Sequence, residues 1–285
     1  MPLGKLAGIP IRIHPLTVIC FLLYVYLGWG LEILAVFTVV LLHELAHGIV
    51  ARLNGVKVNE VQLFPFGGQA SFDDFTGLLP EREINIALAG PIFSLMLAGF
   101  FYFLPAEWFV QHKMLFTFNL YLGLFNLLPG LPLDGGRVVR ALLAKRQGFK
   151  KASSRTIMMG KGLAVLIGVY GIYLFYSGEN GLNAIMIFIL LYWAAHREKS
   201  LLNYAFMRYL LHKKAELNSR GLLPGKQVIC TGETLIKQVL EWTRPNYYLL
   251  IVMVNEAQQI KAIYTEAELI ECYLNKGSHS RLLDL

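Results

Sequence analysis

Six long apolar stretches constrain this chain more than any other feature of its sequence. A helix needs about 20 apolar residues to cross the hydrocarbon core of a bilayer. Five of the stretches contain no Asp, Glu, Lys or Arg, and the sixth carries only His43, Glu44 and His47 as ionisable residues. The stretches are residues 13–31, 33–51, 84–106, 114–133, 162–178 and 180–195. The sequence therefore predicts a polytopic α-helical membrane protein with about six transmembrane helices.

The composition of the chain excludes other fold classes. Hydrophobic residues make up 55% of its 285 residues and charged residues only 16%, against roughly 45–50% and about 25% in soluble domains. The mean hydropathy is +0.51. These values exclude a disordered chain and an ordinary soluble domain. The three cysteines are far apart, so they predict neither a disulfide framework nor a zinc finger.

The basic residues predict the orientation of the chain in the membrane. If both termini face the cytoplasm, Lys113 alone of the 26 Lys and Arg residues falls on the outer side. Such a bias is typical of the cytoplasmic side of membrane proteins. The net charge of +7 thus lies where the chain leaves the membrane, which argues against direct binding of nucleic acid. Without an A-x-A cleavage site, the first span is expected to be an uncleaved signal anchor.

The composition changes after residue 196, and three domains are predicted: a transmembrane domain over 1–196, a basic helical linker over 197–224 and a small domain over 225–285. The linker carries apolar residues at helical spacing, namely Leu201, Leu202, Ala205, Phe206, Tyr209 and Leu210. Two interpretations of the linker stay open. It is either a basic helix on the inner membrane surface or a solvated connector.

Residues 225–285 are predicted to form an α/β module. A short helix over 234–242 precedes strands at Tyr248–Val254 and 259–264. Thr265 and Glu268 then form a capping-box pattern that opens a second helix. This order resembles a single CBS unit, and the resemblance implies ATP binding and pairing into a homo-oligomer. The module has no glycine-rich phosphate loop, so ATP is implied by the resemblance alone.

The second apolar stretch contains the motif His43-Glu44-Leu45-Ala46-His47. Residues i and i+4 share one face of a helix, so the two histidines can bind one metal ion. Glu44 lies beside them, where it can take a proton from a water molecule at the metal. Ionisable groups inside a membrane span are costly and are by default functional. The alternative is a buried polar cluster that only holds helices together.

A catalytic zinc site needs a third protein ligand and a fourth position open to water. Asp134 is the candidate, because the acidic residues before residue 197 other than Glu44 and Asp134 lie at span ends on the outer side or in the loop before the third span. Two prolines and three glycines in residues 129–136 prevent a continuous helix. Such irregular backbone at membrane depth lines a cavity or is buried in protein. The alternative is that Asp134 only caps a helix at the surface.

Two motifs together resemble those of the site-2 intramembrane metalloproteases. They are His43-Glu44-x-x-His47 and Asn126-x-x-Pro129-x-x-Pro132-Leu133-Asp134-Gly135, and they are accompanied by His14-Pro15, by Leu63-Phe64-Pro65-Phe66-Gly67-Gly68 and by Ala89-Gly90-Pro91. The resemblance implies one Zn2+ ion bound by His43, His47 and Asp134, with Glu44 as the general base. It also implies that Asn126 lies beside the metal, and that Asn126, Pro129, Phe66 and Gly67 contact the substrate.

In the loop over 57–72, the extended-type residues 61–66 are followed by Gly67-Gly68, which permits a sharp turn. This pattern predicts an apolar hairpin that dips into the membrane and offers an edge to an extended substrate. The family implies such a re-entrant β-hairpin. A plain surface loop is the alternative.

The resemblance also implies an activity, partners and a location. The activity is that of a zinc metalloendopeptidase in regulated intramembrane proteolysis. Within the family, the chain resembles the branch that processes pro-sigma-K in endospore formers. That branch implies a pro-sigma-K-like peptide substrate and inhibitory membrane partners resembling BofA and stage IV sporulation protein FA (SpoIVFA). It implies the outer forespore membrane, with both termini on the mother-cell side.

Two rival functions stay open at this point. A nucleotide-gated transporter or channel would share the spans and the CBS-like module, but it would not need Glu44 between two histidines or a third ligand in a Pro-Gly break. A scaffold protein without catalytic activity could use zinc only for structure, although structural zinc sites are typically closed by four ligands. Divalent ions other than zinc also bind such motifs.

Overall fold

A computed structural model describes residues 2–6, 8–64, 67–72, 79–105, 112–245, 247–277 and 279–285. The chain divides into two compact units, Met1–Val138 and Val139–Leu285. The first unit contains β1 (Pro2–Leu6), β2 (Ile9–Ile13), α1 (Pro15–Tyr26), α2 (Gly30–Leu53), β3 (Val58–Phe64), β4 (Gly67–Phe72), α3 (Pro80–Phe103) and α4 (His112–Asn126). Helix α5 (Asp134–Gln147) begins in the first unit and ends in the second. The second unit continues with α6 (Phe149–Tyr176), α7 (Leu182–Arg220), β5 (Gly225–Thr231), α8 (Ile236–Leu240), β6 (Tyr248–Val254), β7 (Ile260–Thr265) and α9 (Glu266–Lys276).

In the described part of the chain, three helices are long and apolar enough to cross a membrane: α2, α3 and α6. Helix α1 is apolar but has only 12 residues. The predicted span at 114–133 covers most of α4, which has 15 residues, and the segment between α4 and α5. The predicted span at 180–195 falls mainly in the first part of α7. The fold is thus mostly helical with three candidate spans, and the count of six stays a prediction.

The first unit packs α2 against a four-stranded sheet of order β1-β2-β3-β4. Strands β2 and β3 are parallel, whereas the other pairs are antiparallel. Gly48 allows α2 to approach the sheet closely, because a Cβ at this position would lie 2.7 Å from Ile9 Cδ1. The shared core consists of Ile9, Ile11, Leu45, Ala51, Val56, Val58, Val61 and Ile86. The sheet therefore fixes the C-terminal half of α2, which carries the two histidines.

The structure extends the predicted hairpin. Strands β3 and β4 pair from Val58 with Phe72 to Phe64 with Gly67, as the extended residues over 57–72 predict. Strands β1 and β2 were not predicted, and β2 ends at the motif His14-Pro15. The His14 Nδ1 atom accepts a hydrogen bond from the Leu16 backbone amide at 3.2 Å, which caps α1, and its ring stacks on Phe64. Insertion of the hairpin into a membrane stays a prediction.

The predicted break in the fourth span is present. Helix α4 ends at Asn126 and α5 begins at Asp134, with turns and a cis Leu131–Pro132 peptide bond between them. Gly135 and Gly136 let this segment fold tightly on itself. A Cβ at Gly135 would lie 2.1 Å from the Leu127 carbonyl oxygen, and one at Gly136 would lie 2.2 Å from the Gly130 carbonyl carbon.

In the second unit, α6 and α7 pack against each other as a helical hairpin. Residues 225–285 fold as a three-stranded sheet of order β5-β6-β7 with α8 and α9. The predicted strand Tyr248–Val254 is confirmed as β6, and the predicted capping box of Thr265 and Glu268 opens α9. Strand β5, which pairs parallel to β6, was not predicted. The assignment of this module as a CBS unit stays a prediction.

Neither interpretation of the basic linker describes its apolar stripe. Phe206, Tyr209 and Leu210 are only 4%, 3% and 0% exposed. They are buried among residues of the sheet, α8 and α9, in a cluster that we call the C-terminal core. Its buried members are Phe149, Phe206, Tyr209, Leu210, Ile236, Val239, Leu240, Leu249, Ile251, Met253, Leu269, Ile270, Cys272, Tyr273 and Leu282. The stripe therefore belongs to a protein core, except for Leu201, which is 47% exposed. Helix α7 is continuous through residue 196, and the domain boundaries at 196 and 224 stay predictions.

Candidate metal centre

Helix α2 presents the two motif histidines on one face. Their ring centroids lie 4.9 Å apart with the planes at 80°, as expected for residues one turn apart. Both side chains are buried, with His43 3% and His47 6% exposed. Buried imidazoles need partners for both ring nitrogens. The identity of those partners decides what the pair can bind.

Asp134, the first residue of α5, meets both histidines. Its Oδ2 atom lies 3.3 Å from His43 Nε2 and 3.1 Å from His47 Nε2. One ligand atom from each of the three residues lies within 4.8 Å of the other two. Two ligands at about 2.0–2.1 Å from a tetrahedral zinc ion are roughly 3.3 Å apart. The spacing and the donor chemistry of these residues therefore fit a zinc ion, and we call His43, His47 and Asp134 the metal centre.

The outward-facing ring nitrogens are held by two groups of α3 that the sequence analysis did not identify. His47 Nδ1 lies 2.7 Å from the Ile86 carbonyl oxygen, to which it can only donate a hydrogen bond. His43 Nδ1 lies 2.9 Å from the hydroxyl of Ser94, which is fully buried. Such partners fix the orientation of metal-binding imidazoles. The donation from His47 Nδ1 leaves the lone pair of its Nε2 atom free to face the metal centre.

Gly90 of α3 allows the helix backbone to face the metal centre directly. A Cβ at this position would lie 2.3 Å from His47 Nε2 and 2.6 Å from His43 Nε2. Any other residue would place atoms where the ligands converge. The sequence analysis noted Ala89-Gly90-Pro91 only as a supporting motif. Its signal was a glycine in the interior of an apolar helix, where glycine costs about 1 kcal/mol relative to alanine and calls for a packing reason.

Glu44 follows His43 on α2 and contacts strand β4. A Cβ at Gly68 would lie 2.3 Å from Glu44 Cγ and 2.9 Å from its Cδ. The backbone of β4 therefore passes directly against the carboxylate side chain, which is half-buried. The glycine pair that the sequence analysis assigned to a turn thus has a second effect: Gly68 brings an edge strand next to the predicted general base.

The remaining predicted site residues are those assigned to substrate binding. Asn126 is half-buried at the end of α4, and its side-chain amide donates a hydrogen bond to the Leu122 carbonyl at 3.1 Å. Pro129 is exposed in the segment between α4 and α5. Gly67 begins β4, while Phe66 lies outside the described residues. The roles of these four residues in substrate binding stay predictions. Arg137 adds a cation near the centre, with its Nε atom 4.0 Å from Asp134 Oδ1.

The fold and the metal centre define a class: a zinc metallopeptidase held in a largely helical, apolar scaffold. Comparison with known proteins agrees. The chain matches the profile described as Peptidase family M50 over residues 31–113 and 105–169. This range covers α2, α3, α4 and α5, which together carry every member of the metal centre.

Two curated relatives and one solved structure extend the match. The zinc metalloprotease MJ0392 of Methanocaldococcus jannaschii is 28% identical over 276 residues, which are 92% of this chain and 77% of that protein. Stage IV sporulation protein FB of Bacillus subtilis is 29% identical over 207 residues, 71% of this chain and 70% of that protein. The solved site-2 protease from M. jannaschii covers 70% of this chain and 94% of its own, at 32% identity and a TM-score of 0.55.

The chain belongs to Peptidase family M50, the site-2 proteases. It is a zinc metallopeptidase and an integral membrane protein. Family membership therefore argues against the rival transporter or channel, which would have shared only the spans and the C-terminal module.

Proposed function

We propose that this chain is an intramembrane zinc metalloprotease that removes the pro-sequence of a membrane-associated sporulation sigma factor of the pro-sigma-K type. One observation carries the proposal: three ligand atoms converge within 4.8 Å in an apolar scaffold, next to a glutamate that faces an edge strand. A silent scaffold with structural zinc would be expected to close the fourth ligand position with a Cys or His side chain.

Each residue of the centre has a distinct role in the proposed hydrolysis. His43, His47 and Asp134 would hold the zinc ion, which would supply Lewis-acid polarisation and lower the pKa of a water molecule. Glu44 accepts the proton of the attacking water and then delivers it to the nitrogen of the leaving amine. Ser94 and the Ile86 carbonyl keep the two imidazoles in their metal-binding orientation. Asn126 orients the substrate or polarises the scissile carbonyl.

The substrate is proposed to bind as an added strand. Among the described residues, strand β4 is at the edge of its sheet and pairs with β3 alone, so its outer backbone groups are available to an extended peptide. Gly67, Phe66 and Pro129 are proposed to contact that peptide. The substrate must unwind before cleavage, because the carbonyls of a helix are already hydrogen-bonded. Because Gly68 lies against Glu44, a peptide added at this edge would run close to the general base.

The narrower parts of the proposal rest on the relative from B. subtilis, whose printed name is that of a sporulation protein. They are the pro-sigma-K-like substrate, inhibitory partners resembling BofA and SpoIVFA, and a position in the outer forespore membrane. The full topology is proposed to have six spans, a re-entrant β3–β4 hairpin and both termini in the cytoplasm. Residues 225–285 are proposed to act as a CBS-like regulatory module that pairs with a second copy. ATP binding there has only the CBS resemblance behind it.

Cleavage of a tagged pro-sigma-K-like substrate, co-expressed with the full chain, tests the proposal. Glu44→Gln should abolish cleavage while zinc stays bound, because the amide cannot accept the proton. Asp134→Asn should abolish cleavage and lower the zinc content. Glu32→Gln is the matched control, since Glu32 lies exposed in the first turn of the same helix.

The outcomes separate the parts of the proposal. Persistent cleavage by Glu44→Gln would overturn the mechanism. Full zinc content in Asp134→Asn would remove Asp134 from the ligand set. If the wild-type chain leaves this substrate intact but cleaves other membrane-associated peptides, the pro-sigma-K assignment is wrong and the protease assignment stands.

A further inference from the structure

A second polar feature lies in the unit Val139–Leu285, where a cavity of about 260 Å³ is lined mainly by cations. We call it the basic pocket. It is formed by Arg146, Gln147, Lys151, Arg155, Glu241, Trp242 and Arg244. Gly148, with φ of +82°, makes the turn between α5 and α6 that allows this close packing. A Cβ there would lie 2.9 Å from the Thr243 carbonyl oxygen and 3.0 Å from that of Glu241.

The charges of the basic pocket are not balanced by the protein. In the described part of the chain, none of the four cations Arg146, Lys151, Arg155 and Arg244 forms an ion pair with an acidic side chain. The one acidic residue of the pocket, Glu241, is paired with Lys150 at 2.7 Å. A cavity that gathers four cations and a single carboxylate, itself paired with a fifth cation, attracts an anion.

Two further groups restrict what that anion can be. Gln147 Oε1 is buried and has no hydrogen-bond partner among the described residues, and an unpaired buried acceptor of this kind costs free energy until a donor reaches it. The Trp242 ring lies beneath Lys151, whose Nζ atom is 5.7 Å from the ring centroid. A ligand that carries both a negative charge and a hydroxyl donor would satisfy the cations and Gln147 together.

The basic pocket also lies at one end of a membrane helix. Arg155 is one turn before Met158, which is 72% exposed, and large exposed apolar side chains recur from there to Tyr176 at the end of α6. Twenty residues of helix span about 30 Å, the thickness of the hydrocarbon core. The predicted span over 162–178 begins about two turns beyond Arg155, so Arg155 lies on the headgroup side of that span and Lys151 within one further turn of it. Tryptophan is enriched at the same level.

We propose that the basic pocket binds the phosphate group of an anionic phospholipid whose headgroup carries hydroxyls, such as phosphatidylglycerol. Arg146, Lys151, Arg155 and Arg244 hold the phosphate, and a headgroup hydroxyl donates to Gln147 Oε1. Basic pockets at the ends of membrane helices bind lipid headgroups in this way. A water-soluble phosphate ester shares the chemistry, but it lacks the acyl chains that the apolar surface beginning at Met158 would cover.

The test uses the full chain with its zinc in nonionic detergent and three ligands: short-chain phosphatidylglycerol, short-chain phosphatidylcholine and glycerol 3-phosphate. Binding is read from the shift of the thermal unfolding midpoint, which rises with ligand concentration over the dissociation constant. Phosphatidylglycerol should raise the midpoint at concentrations where the other two ligands have no effect. The triple variant Arg146→Gln, Lys151→Gln and Arg244→Gln should lose about 100-fold in affinity, from the contribution of each cation near a membrane surface.

Matched variants keep this test decisive. The triple variant Lys199→Gln, Lys237→Gln and Lys261→Gln removes the same charge away from the pocket and should bind phosphatidylglycerol as the wild type does. If the pocket triple variant does not fold, Lys151→Gln alone should show a loss of about fivefold.

Three results would overturn the proposal. Equal affinities in the two triple variants would show that the pocket is not the site. An equal response to phosphatidylcholine would show that the anionic charge is irrelevant. Glycerol 3-phosphate binding as tightly as the lipid, and lost in the pocket variant, would replace the phospholipid by a soluble phosphate ester.

Discussion

The metal centre and the C-terminal core are both buried, but they contain opposite kinds of side chain. The metal centre buries two imidazoles and a carboxylate that is 13% exposed, and Gly90 lies directly against both imidazoles. The C-terminal core buries large apolar and aromatic side chains, among them Leu210 and the stacked pair Phe149 and Tyr209. The first arrangement is costly unless an ion binds, whereas the second stabilises the fold by itself. Variants in the two regions should therefore fail in different ways.

The largest effect is expected at Gly90. Gly90→Ala would put a methyl group within 2.3 Å of His47 Nε2, where the metal ligands converge. Zinc content should fall from about one ion per chain to a small fraction, and cleavage should be lost. Metal analysis of the purified chain checks this. The control is Gly99→Ala on the same helix, where no heavy atom lies within 4 Å. Full zinc content in Gly90→Ala would show that α3 is not held against the histidines.

The next effect separates the general base from the ligands. Gly68→Ala would force Glu44 to move, because the new Cβ would lie 2.3 Å from Glu44 Cγ. The rate of cleavage should fall about 100-fold, the usual range for a displaced general base, while zinc content stays unchanged. Single-turnover rates and metal analysis measure the two quantities. Loss of zinc together with activity would instead mean that β4 supports the metal ligands rather than Glu44.

The sequence predicted the metal ligands and the general base better than it predicted the residues that hold them in place. The HExxH spacing places His43, Glu44 and His47 on one helix without knowledge of the fold. Asp134 emerged by elimination, since few acidic residues lie at membrane depth, and the structure brings it to both histidines. In each case the signal is a costly side chain in an apolar stretch, and such a signal is local.

What the sequence did not predict depends on tertiary contacts. Gly90 and Gly68 act by lacking a side chain, and the effect of that absence is defined only by the partner that approaches. Ser94 is an unremarkable small residue in an apolar helix until His43 is placed beside it. The stripe containing Leu210 has the same periodicity whether it faces lipid, water or protein. Its partner, the C-terminal module, could not be identified from helical spacing alone.

An effect of intermediate size, on stability, is expected in the C-terminal core. Leu210→Ala removes a fully buried side chain from the C-terminal core, at a cost of about 2–5 kcal/mol. Hydrogen exchange of the β6 amides should accelerate by at least about 30-fold, with zinc content unchanged. The control is Leu211→Ala, since the side chain of Leu211, the next residue in α7, is 52% exposed. Unchanged exchange would mean that α7 does not stabilise the sheet. The apolar stripe would then face the membrane or solvent, as one of the two original interpretations of the linker states.

The smallest effect is expected on the surface of the C-terminal unit, where Lys214 Nζ donates to Glu271 Oε2 at 2.9 Å. This hydrogen bond and the charge of Lys214 hold the pKa of Glu271 below its ordinary value. A carboxylate with a lowered pKa contributes stability above its ordinary pKa and loses that contribution as the pH falls through the folded-state value. Because the pair is exposed and screened, the contribution to stability should be close to the detection limit.

The pKa itself is the sharper measurement. Lys214→Gln should raise the pKa of Glu271 to its ordinary value, observed by NMR titration of the full chain labelled with 13C at the glutamate carboxyl carbons. The Glu271→Gln spectrum assigns the signal, and Lys261→Gln, an exposed lysine of the same module, should leave the titration unchanged. If Lys214→Gln also accelerated exchange of the β6 amides, this exposed pair would be supporting the C-terminal core. The difference between a core held by apolar packing and a centre held by polar contacts would then be smaller than the structure indicates.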